Sequence, residues 1–323
     1  MKQNLVKLAA DYRRDVDKYL RELKISEKEM NLHEPMMYSA TAPGKRIRPL
    51  LTLFTGTGLG ADRKALLPIA VSVELLHTFT LVHDDIMDND TQRRGLPTVH
   101  VKWDQNTAIL AGDGLMALAF RVLMESRAAR IRQMGYEFSQ AMLEICEGQV
   151  LDMGFESRMD VNREAYLEMV GKKTGRLLGL SCQLGGLAAD ADEKIIHNLN
   201  AFGIELGQIF QIQDDLLEIT SDVSSMGKSL DSDIVSGKKT FPLILRFEQL
   251  SDVEKTSFLT FMKENVNNRS AIIDDLTRSG VIDETAATIG GLNKIALDRL
   301  SDFPEKLAEH LKFLVLMIAK RQH

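Results

Sequence analysis

The sequence predicts an all-α fold, and we expect a large helical bundle. Apolar residues recur at three- and four-residue spacings along most of the chain, which is the pattern of amphipathic helices. Strand signals are scarce, because aromatic residues make up 6% of the chain and no long stretch alternates between apolar and polar residues. The stretches with helical periodicity are Leu5–Leu23, Leu66–Met87, Thr107–Glu125, Tyr136–Phe155, Arg163–Ala189 and Glu193–Ile219.

The 323 residues are expected to form a single domain, residues 1–323. With 44% hydrophobic content the chain can bury a large core, and no linker, low-complexity tract or repeat marks a boundary. The N-terminus lacks the apolar core of a signal peptide, and the most apolar long stretch, Leu66–Val82, is interrupted by Pro68, Glu74 and His77. We therefore expect a cytoplasmic protein without stable membrane insertion.

The composition restricts the partners. A formal net charge of −6 argues against nucleic acid as the main ligand, because a phosphate polymer would be repelled overall. Anionic small molecules would then require local basic sites. The two cysteines, Cys146 and Cys182, lie in apolar helical patterns and are expected to be core thiols, not a disulfide or a zinc site.

Two acidic clusters stand at the ends of strongly apolar helices. Asp84 and Asp88 are four residues apart and therefore project from one helix face, and Asp214 and Glu218 repeat this spacing about 130 residues later. Neighbouring carboxylates repel one another. Removing each from water also costs roughly several kcal/mol unless a cation or a hydrogen-bond donor compensates the charge. The pattern predicts a cation at each cluster.

Magnesium is the cation that these ligands favour. Mg²⁺ takes one or two carboxylates per ion and completes its coordination with water and substrate phosphates, so the clusters predict a diphosphate held through metal. A solvated acidic helix end is the alternative for a single cluster. An EF-hand is excluded, because neither cluster has the Asp-x-Asp-x-Asp-Gly pattern with a later Glu.

Basic residues follow both clusters and precede the first. Arginine pairs with phosphate oxygens in a bidentate fork, so such groups are candidates for holding a diphosphate, although each alone is more often a solvated surface. They lie at Lys45, Arg46 and Arg48, at Arg93 and Arg94, and at Lys228, Lys238 and Lys239.

The order of these motifs resembles the polyprenyl synthetase family of trans-isoprenyl diphosphate synthases. The residues that carry the resemblance run from about Gly44 to Pro242 in fixed order. They are Gly-Lys-Arg-x-Arg-Pro, Glu-x-x-His, Asp-Asp-x-x-Asp with Arg-Arg-Gly, Lys-Thr, a second Asp-Asp-x-x-acid, and Gly-Lys-x-Thr-x-Pro. The resemblance implies the isoprenoid synthase fold, a helical bundle around a central cavity, usually as a homodimer, with the two acidic helices facing each other.

The resemblance also implies roles for individual residues. Asp84, Asp88 and Asp214 would bind three Mg²⁺ ions, for which Mn²⁺ is an acceptable substitute, with Asp85, Asp215 and Glu218 as nearby ligands or orienting groups. The allylic diphosphate would be held by Arg93, Lys173, Lys238 and Lys228, with Thr174 and Gln211 beside the developing cation. Isopentenyl diphosphate would be bound by Lys45, Arg48, His77 and Arg94. The catalytic set is then Asp84, Asp85, Asp88, Arg93, Lys173, Asp214 and Lys238.

The implied activity is a magnesium-dependent prenyltransferase reaction of isoprenoid biosynthesis. Isopentenyl diphosphate would condense head-to-tail with dimethylallyl, geranyl or farnesyl diphosphate to give a trans-polyprenyl diphosphate and pyrophosphate. Metal and basic side chains would stabilise the leaving group, and an apolar pocket would exclude water. His83, Asp113 and Gln149 also match family positions, and we expect packing or orienting roles for them.

Product length is expected to depend on Phe79. It lies five residues before Asp84, about 7.5 Å deeper along the helix, where its ring can form the floor of the cavity. A plain core aromatic is the alternative. With the smaller Thr80 beside it, Phe79 suggests a product of C15 to C20.

Two positions depart from the family pattern. Pro43 replaces the first glycine of the basic motif and Glu218 replaces the last aspartate of the second acidic cluster, which leaves the geometry of the second metal site open.

Three other functions remain as alternatives. A terpene cyclase would share the first acidic cluster but would not need the basic site for a second diphosphate. A non-catalytic partner subunit typically loses acids that this chain keeps, and a plain structural bundle would not explain two acidic clusters in apolar helices.

Overall fold

The structure of the chain is a computed structural model that describes residues 2–23, 30–220, 238–265 and 268–319. It is 82% helical, which confirms the all-α prediction. The helices of the first part of the chain are α1 (Lys2–Glu22), α2 (Met30–Ala40), α3 (Ile47–Gly58), α4 (Arg63–Met87), α5 (Val99–Lys102), α6 (Gln105–Met124), α7 (Ile131–Glu156) and α8 (Arg163–Val170). They are followed by α9 (Arg176–Ala188), α10 (Glu193–Thr220), α11 (Phe241–Glu248), α12 (Asp252–Glu264), α13 (Arg269–Arg278), α14 (Val281–Asp298) and α15 (Glu305–Ala319).

The described residues group into two compact units, each assembled from separate segments of the chain. The first unit comprises Met1–Ala141, Leu177–Ala201 and Leu300–Leu316, and the second comprises Met142–Arg176, Phe202–Arg299 and Met317–His323. The expectation of one domain for residues 1–323 stays a prediction.

The core of the first unit is built around α3 and α4. Most residues of α3 and about half of those of α4 are buried, including the continuous run Ile69–Leu76 of α4. Phe54 of α3 packs edge-on against Tyr12 of α1, with ring centroids 5.1 Å apart, and the Tyr12 hydroxyl donates to Thr57 Oγ1. Full burial of each such side chain contributes about 1.5–3 kcal/mol.

The core of the second unit joins α8, the C-terminal half of α10, and α11 to α14. Tyr166, Ile212, Phe241, Ile244 and Val281 are all fully or almost fully buried in it. The rings of Tyr166 and Phe241 pack at a tilt, with centroids 5.4 Å apart. This core therefore includes residues of α10 on both sides of the second acidic cluster in sequence.

Polar caps explain where the first acidic helix begins. Asp62 precedes α4 in an extended conformation, and its Oδ2 accepts hydrogen bonds from the backbone N–H groups of Lys64 and Ala65. Such a cap stabilises a helix by about 1 kcal/mol. Pro68 lies in the second turn of α4, so the helix tolerates it near its start.

A short hairpin that the sequence interpretation did not include follows α4. Strands β1 (Gln92–Arg93) and β2 (Leu96–Pro97) pair antiparallel, with Arg93 opposite Leu96. The two turn residues, Arg94 and Gly95, both have positive φ, which is the conformation of a type I′ hairpin turn. The turn fixes the directions in which Arg93 and Arg94 leave the backbone.

The predicted helix Arg163–Ala189 is interrupted by a π-helical turn at Gly171–Gly175. A Cβ on Gly148 of α7 would lie 2.4 Å from the backbone nitrogen of Lys173. A Cβ on Gly207 of α10 would lie 2.3 Å from the Cα of Gly175. The π-turn is therefore packed backbone to backbone between two helices, and only glycine fits at these contacts. Single π-turns within α-helices frequently occur at functional sites.

Two of the described helices, α4 and α6, are long and apolar enough to cross a membrane by length and composition alone. In α4, 67% of the most apolar window is buried inside the protein, and in α6 the share is 44%.

Candidate active site

The first acidic cluster occupies the last turn of α4 and the residue after it. Asp84 and Asp88 lie four residues apart, and the backbone N–H of Asp88 donates to the carbonyl of Asp84 at 2.8 Å. Asp88 is exposed and Asp84 is half-buried, whereas Asp85 is only 4% exposed. The three carboxylates that the sequence groups together are therefore in different environments.

Asp85 pairs with the hairpin. Arg93 Nε donates to Asp85 Oδ1 at 2.5 Å, and Arg93 Nη2 reaches Asp90 Oδ2 at 3.3 Å. The backbone N–H of Asp90 also donates to the carbonyl of Asp85. Asp85 thus ties the arginine that follows the cluster back to the helix that carries it.

Arg94 reaches the loop before α3. Its Nη1 donates to the carbonyl of Pro43 at 3.0 Å, and a Cβ on Gly44 would lie 2.7 Å from the same nitrogen. Burial lowers the pKa of Arg94, and the neighbouring Arg46 and Arg93 add to this effect against the pull of Glu74. The structure therefore brings Arg94 to the motif that carries Lys45 and Arg48, as the resemblance implies.

Arg46 has a different role from its basic neighbours. Its backbone is in the left-handed region at φ 51°, and its side chain is 2% exposed. The guanidinium donates to Glu74 Oε1 at 2.7 Å, to Asp17 Oδ1 at 2.9 Å and to the carbonyl of Ala42 at 2.8 Å. Arg46 is therefore a buried, ion-paired residue that connects α1, α4 and the loop before α3. Lys45 beside it is exposed.

His77 lies next to Arg48. Arg48 Nη1 and His77 Nε2 are 2.9 Å apart, and because a guanidinium has no acceptor, Nε2 must accept. The proton of the neutral ring is then on Nδ1, a buried atom with no hydrogen-bond partner among the described residues. Burial, and then Arg48, Arg94, Arg93 and Arg46, lower the pKa of His77 well below its usual value. A half-buried neutral ring with an unused N–H suits a diphosphate oxygen.

The π-turn presents Lys173 and Thr174 in the second unit. Lys173 Nζ forms an ion pair with Asp152 of α7, and Thr174 Oγ1 donates to Gln211 Oε1 at 3.3 Å. Asp152 was missed by the sequence interpretation. Its position three residues after Gln149 on the same helix was the only available signal.

The second acidic cluster also separates its members. Asp214 and Glu218 are half-buried, whereas Asp215 is 5% exposed. Asp215 Oδ2 accepts from the Tyr166 hydroxyl at 2.5 Å and from the backbone N–H of Phe241 at 2.8 Å. Burial raises the pKa of Asp215, and the hydrogen bonds and Lys238 counteract that effect. Tyr166 was not predicted as a site residue, because one aromatic in an apolar pattern reads as core.

The basic segment after the second cluster is described only in part. Lys238 is half-buried and near enough to Asp215 to influence its carboxylate. Lys239 is buried, and its Nζ donates to the carbonyl of Glu156 at 3.2 Å. Lys228 lies outside the described residues.

The remaining candidates pack around α4. The rings of Phe79 and His83 meet edge to face, with centroids 4.9 Å apart. His83 Nε2 lies 3.1 Å from the carbonyl of Ile109 and 3.9 Å from Asp113 Oδ1. Gln149 is buried, and neither atom of its amide has a hydrogen-bond partner among the described residues. His83 and Asp113 thus lie near each other and Gln149 has an unused amide, and the packing or orienting roles expected for all three stay predictions.

A pocket lies in the first unit next to the hairpin. Residues of α2, α4 and the hairpin line it, and both hairpin arginines are among them. Its lining includes Tyr38, Leu81, Asp85, Arg93, Arg94 and Val99. Phe79, the residue expected to form a floor, is not among the lining residues.

A family model described as "Polyprenyl synthetase" matches residues 29–278. The chain belongs to the polyprenyl synthetase family. It is 42% identical over 255 residues to a geranylgeranyl diphosphate synthase of Saccharolobus solfataricus, covering 78% of this chain and 76% of that protein. It is 34% identical over 320 residues to a geranylfarnesyl diphosphate synthase of Natronomonas pharaonis, covering 94% and 93%.

A solved structure of this family gives the same fold. The geranylgeranyl pyrophosphate synthetase of Pyrococcus horikoshii superposes with a TM-score of 0.90 at 34% identity, covering 99% of both chains. The resemblance inferred from the motifs and the isoprenoid synthase fold are thereby confirmed.

Membership of the polyprenyl synthetase family implies a divalent metal for diphosphate binding. The donor set agrees with this requirement. Within the described ranges no three His, Cys, Asp or Glu side chains are close enough to hold an ion by themselves. Asp84 and Asp88, and separately Asp214 and Glu218, instead offer pairs of carboxylates one turn apart. Pairs suit a hard cation that takes one or two carboxylates and shares the rest of its shell with water and phosphate.

Proposed function

We propose that the protein is a magnesium-dependent prenyltransferase that condenses isopentenyl diphosphate with an allylic diphosphate to give a trans-polyprenyl diphosphate of 20 carbons. The chain belongs to the polyprenyl synthetase family, and one structural observation supports this activity for it. In each acidic cluster the second aspartate holds the segment that bears the basic residues: Asp85 holds Arg93, and Asp215 holds the start of α11 next to Lys238. Carboxylates for metal and cations for phosphate are thus supplied together.

The allylic diphosphate is proposed to bind through Mg²⁺. Asp84, Asp88 and Asp214 would hold Mg²⁺, with Glu218 as a further ligand. When bound, Mg²⁺ would neutralise the charge that develops on the departing diphosphate. Arg93, Lys173 and Lys238 are the proposed basic residues for the allylic diphosphate, and the family pattern assigns the same role to Lys228.

Isopentenyl diphosphate is proposed to bind at the basic group of the first unit. Lys45, Arg48 and Arg94 supply positive charge around His77, and the neutral ring of His77 offers its Nδ1–H. Because both substrates carry diphosphates but only one must lose it, the sites need different chemistry. A metal-free basic site retains its diphosphate, and a metal-bound diphosphate becomes a better leaving group.

The reaction then requires little from side chains beyond positioning. The allylic C1–O bond breaks with its electron pair on the oxygen, and the double bond of isopentenyl diphosphate forms the new bond to C1. A proton leaves C2 of the former isopentenyl unit to an oxygen of the released pyrophosphate. Thr174 and Gln211 would direct their dipoles at the allylic cation, and holding both substrates in register supplies the proximity effect.

The product length rests on two independent arguments that overlap at 20 carbons. The position of Phe79 suggests C15 to C20, and several relatives are named for C20 and C25 products. We propose geranylgeranyl diphosphate as the product, made with farnesyl, geranyl or dimethylallyl diphosphate as primer.

The protein is proposed to act in the cytoplasm as a homodimer. Exposed apolar residues recur along α6 at Leu110, Phe120 and Met124. Along α7 they recur with a seven-residue period, and Leu143 and Val150 are 62% and 69% exposed. Exposed apolar stripes of this kind mark association surfaces, and a second copy of the chain is the proposed occupant.

The test is incubation of the purified protein with Mg²⁺, labelled isopentenyl diphosphate and each allylic primer in turn. The dephosphorylated products are then separated by chromatography. We expect a C20 alcohol from the wild type and a loss of at least about 100-fold in rate for Asp84→Asn, on the scale of losing a charge that stabilises a transition state. Asp190→Asn is the control, because this surface aspartate has φ 53°, which asparagine adopts equally well.

Two other outcomes would replace the proposal. A cyclic hydrocarbon formed without isopentenyl diphosphate would indicate a terpene cyclase. No condensation with any primer would indicate a non-catalytic partner subunit.

A further inference from the structure

Tyr166 is a buried tyrosine of α8 whose hydroxyl points at the second acidic cluster. The residue is 2% exposed, and its O–H donates to Asp215 Oδ2 at 2.5 Å. Its ring packs against Phe241 at the start of α11. The ring thus makes apolar contacts, while the hydroxyl binds a carboxylate that belongs to a family motif.

Asp215 collects donors from three elements. Besides the Tyr166 hydroxyl, its Oδ2 accepts the backbone N–H of Phe241 at 2.8 Å, and its Oδ1 accepts Gln211 Nε2 at 3.0 Å. A buried carboxylate needs such donors, because losing a hydrogen bond to a charged group costs more free energy than losing one between neutral groups. Asp215 therefore fastens α8, α10 and α11 to one another.

The same hydrogen bonds reach the residues expected to act on the allylic substrate. Because Gln211 donates its amide N–H to Asp215, its Oε1 is left to accept from Thr174 Oγ1 at 3.3 Å. Lys238 lies three residues before Phe241, whose N–H Asp215 holds. The Tyr166 hydroxyl is therefore linked to the π-turn through Gln211 and to the basic segment through Phe241.

We propose that Tyr166 is a positioning residue for the allylic diphosphate: its hydroxyl fixes Asp215, and Asp215 fixes Gln211 and the start of α11. This inference rests on the proposed function and adds to it a residue outside the family motifs. It also assigns Asp215 to the scaffold of the site, and leaves Asp214 and Glu218 to bind metal.

Removing the hydroxyl has a specific consequence. In Tyr166→Phe the ring still fills the core, but Asp215 Oδ2 keeps only the Phe241 N–H. The carboxylate can then rotate or admit water, which frees the Gln211 amide and the start of α11. Isopentenyl diphosphate, bound by the basic group of the first unit, is not expected to sense this change.

The experiment compares Tyr166→Phe with Tyr12→Phe. Tyr12 is the matched control, because it is also 2% exposed and its hydroxyl also donates to a side chain, Thr57 Oγ1, at 3.0 Å. Two readouts are taken: the Mg²⁺-dependent affinity for inorganic pyrophosphate by calorimetry, and KM for each substrate. Thermal unfolding is recorded in parallel for both variants.

For Tyr166→Phe we expect Mg²⁺-dependent pyrophosphate affinity to fall by about 10-fold, the size of one lost hydrogen bond to a charged group. KM for the allylic diphosphate should rise similarly, and KM for isopentenyl diphosphate should stay within about twofold. Tyr12→Phe should lower the unfolding temperature alone. The inference is overturned if both variants lower the unfolding temperature and neither changes pyrophosphate affinity.

The pyrophosphate measurement separates this inference from the proposed function. If the wild type binds pyrophosphate with Mg²⁺ but condenses no primer, the proposed reaction fails while the comparison of the two variants still decides the role of Tyr166. If the wild type binds no pyrophosphate with Mg²⁺, the inference fails as well.

Discussion

Arg46 and Glu74 form an ion pair inside the first unit, with Nη1 and Oε1 2.7 Å apart and both side chains at most 3% exposed. Arg46 comes from the loop before α3, and Glu74 lies three residues before His77 on α4. The pair therefore joins the loop that carries Lys45 to the helix that carries His77. Asp17 of α1 adds a second carboxylate to the same guanidinium.

Replacement of Arg46 by methionine is predicted to cost about 3–5 kcal/mol of folding free energy, because it leaves Glu74 buried and without its cation. Urea unfolding measures the loss. Arg14→Met is the matched control, since Arg14 pairs with Asp11 while remaining 71% exposed, and surface pairs contribute about 0–1 kcal/mol. Equal losses in the two variants would show that the buried pair has no special role.

The contact between Gly207 and Gly175 predicts an intolerant position. In Gly207→Ala the new Cβ would lie 2.3 Å from a backbone atom, so α10 or the π-turn must move, at a cost of about 1–3 kcal/mol or more. We also expect lower kcat/KM, because the π-turn carries Lys173 and Thr174. Gly291→Ala in α14 is the control, since nothing lies within 4 Å of its Cβ, and it should stabilise the helix by about 0.5–1 kcal/mol. Wild-type stability and activity in Gly207→Ala would contradict the close approach.

The buried histidine predicts how stability depends on pH. The folded protein holds His77 neutral among Arg48, Arg94, Arg93 and Arg46, whereas the unfolded chain protonates it near pH 6.5. The unfolded state therefore binds more protons below that pH, and the free energy of unfolding should decrease as the pH falls through about 6.5. Unfolding at pH 7.5, 6.5 and 5.5 measures this.

His77→Gln isolates the contribution of His77 to this pH dependence. The variant should lose stability less steeply between pH 6.5 and 5.5, because it lacks the group that protonates on unfolding. Burial also lowers the pKa of His310, which is present in both proteins, so some pH dependence should remain. Parallel curves for the two proteins would refute the assignment.

Product length tests the predicted role of Phe79. Phe79→Ala removes a ring about 7.5 Å along α4 from Asp84, one that now packs on His83. If the ring forms the floor, the main product should lengthen by one or more five-carbon units, as read by chromatography of the dephosphorylated products. Phe261→Ala, a partly buried phenylalanine of α12, should leave the product unchanged. An unchanged product in Phe79→Ala would leave Phe79 as a plain packing residue.

The exposed apolar stripe of α7 predicts that a charge introduced there disrupts the proposed homodimer. Val150→Lys should convert a dimer to monomers, because an ammonium group would be buried without a partner at the proposed contact. Light scattering or sedimentation over a range of concentrations gives the mass. Val253→Lys is the control, since Val253 is 78% exposed and belongs to α12, a helix that carries neither stripe. A monomeric wild type would rule out the dimer.

Much of the site could be identified from the sequence because its signals are local. The four-residue spacing of Asp84 and Asp88, and of Asp214 and Glu218, defines a helix face before any contact is known. Gly95, which permits the hairpin turn, and the two arginines before it also lie within one short segment. Local spacing and motif order were therefore enough to determine the fold class and the family, and to propose most of the residues of the candidate site.

Only the tertiary structure decided what each residue of a motif does. Asp84 and Asp85 are adjacent in sequence, yet Asp85 alone is turned to Arg93, and Asp215 alone to Tyr166, 49 residues away. Arg46 looked like its basic neighbours until Asp17 and Glu74 were placed around it. Burial and pairing depend on which distant segments pack together, and one sequence carries no direct record of those contacts. The sequence thus determined the chemistry available to this protein, and the packing of its helices decided which of the charged groups are buried and paired.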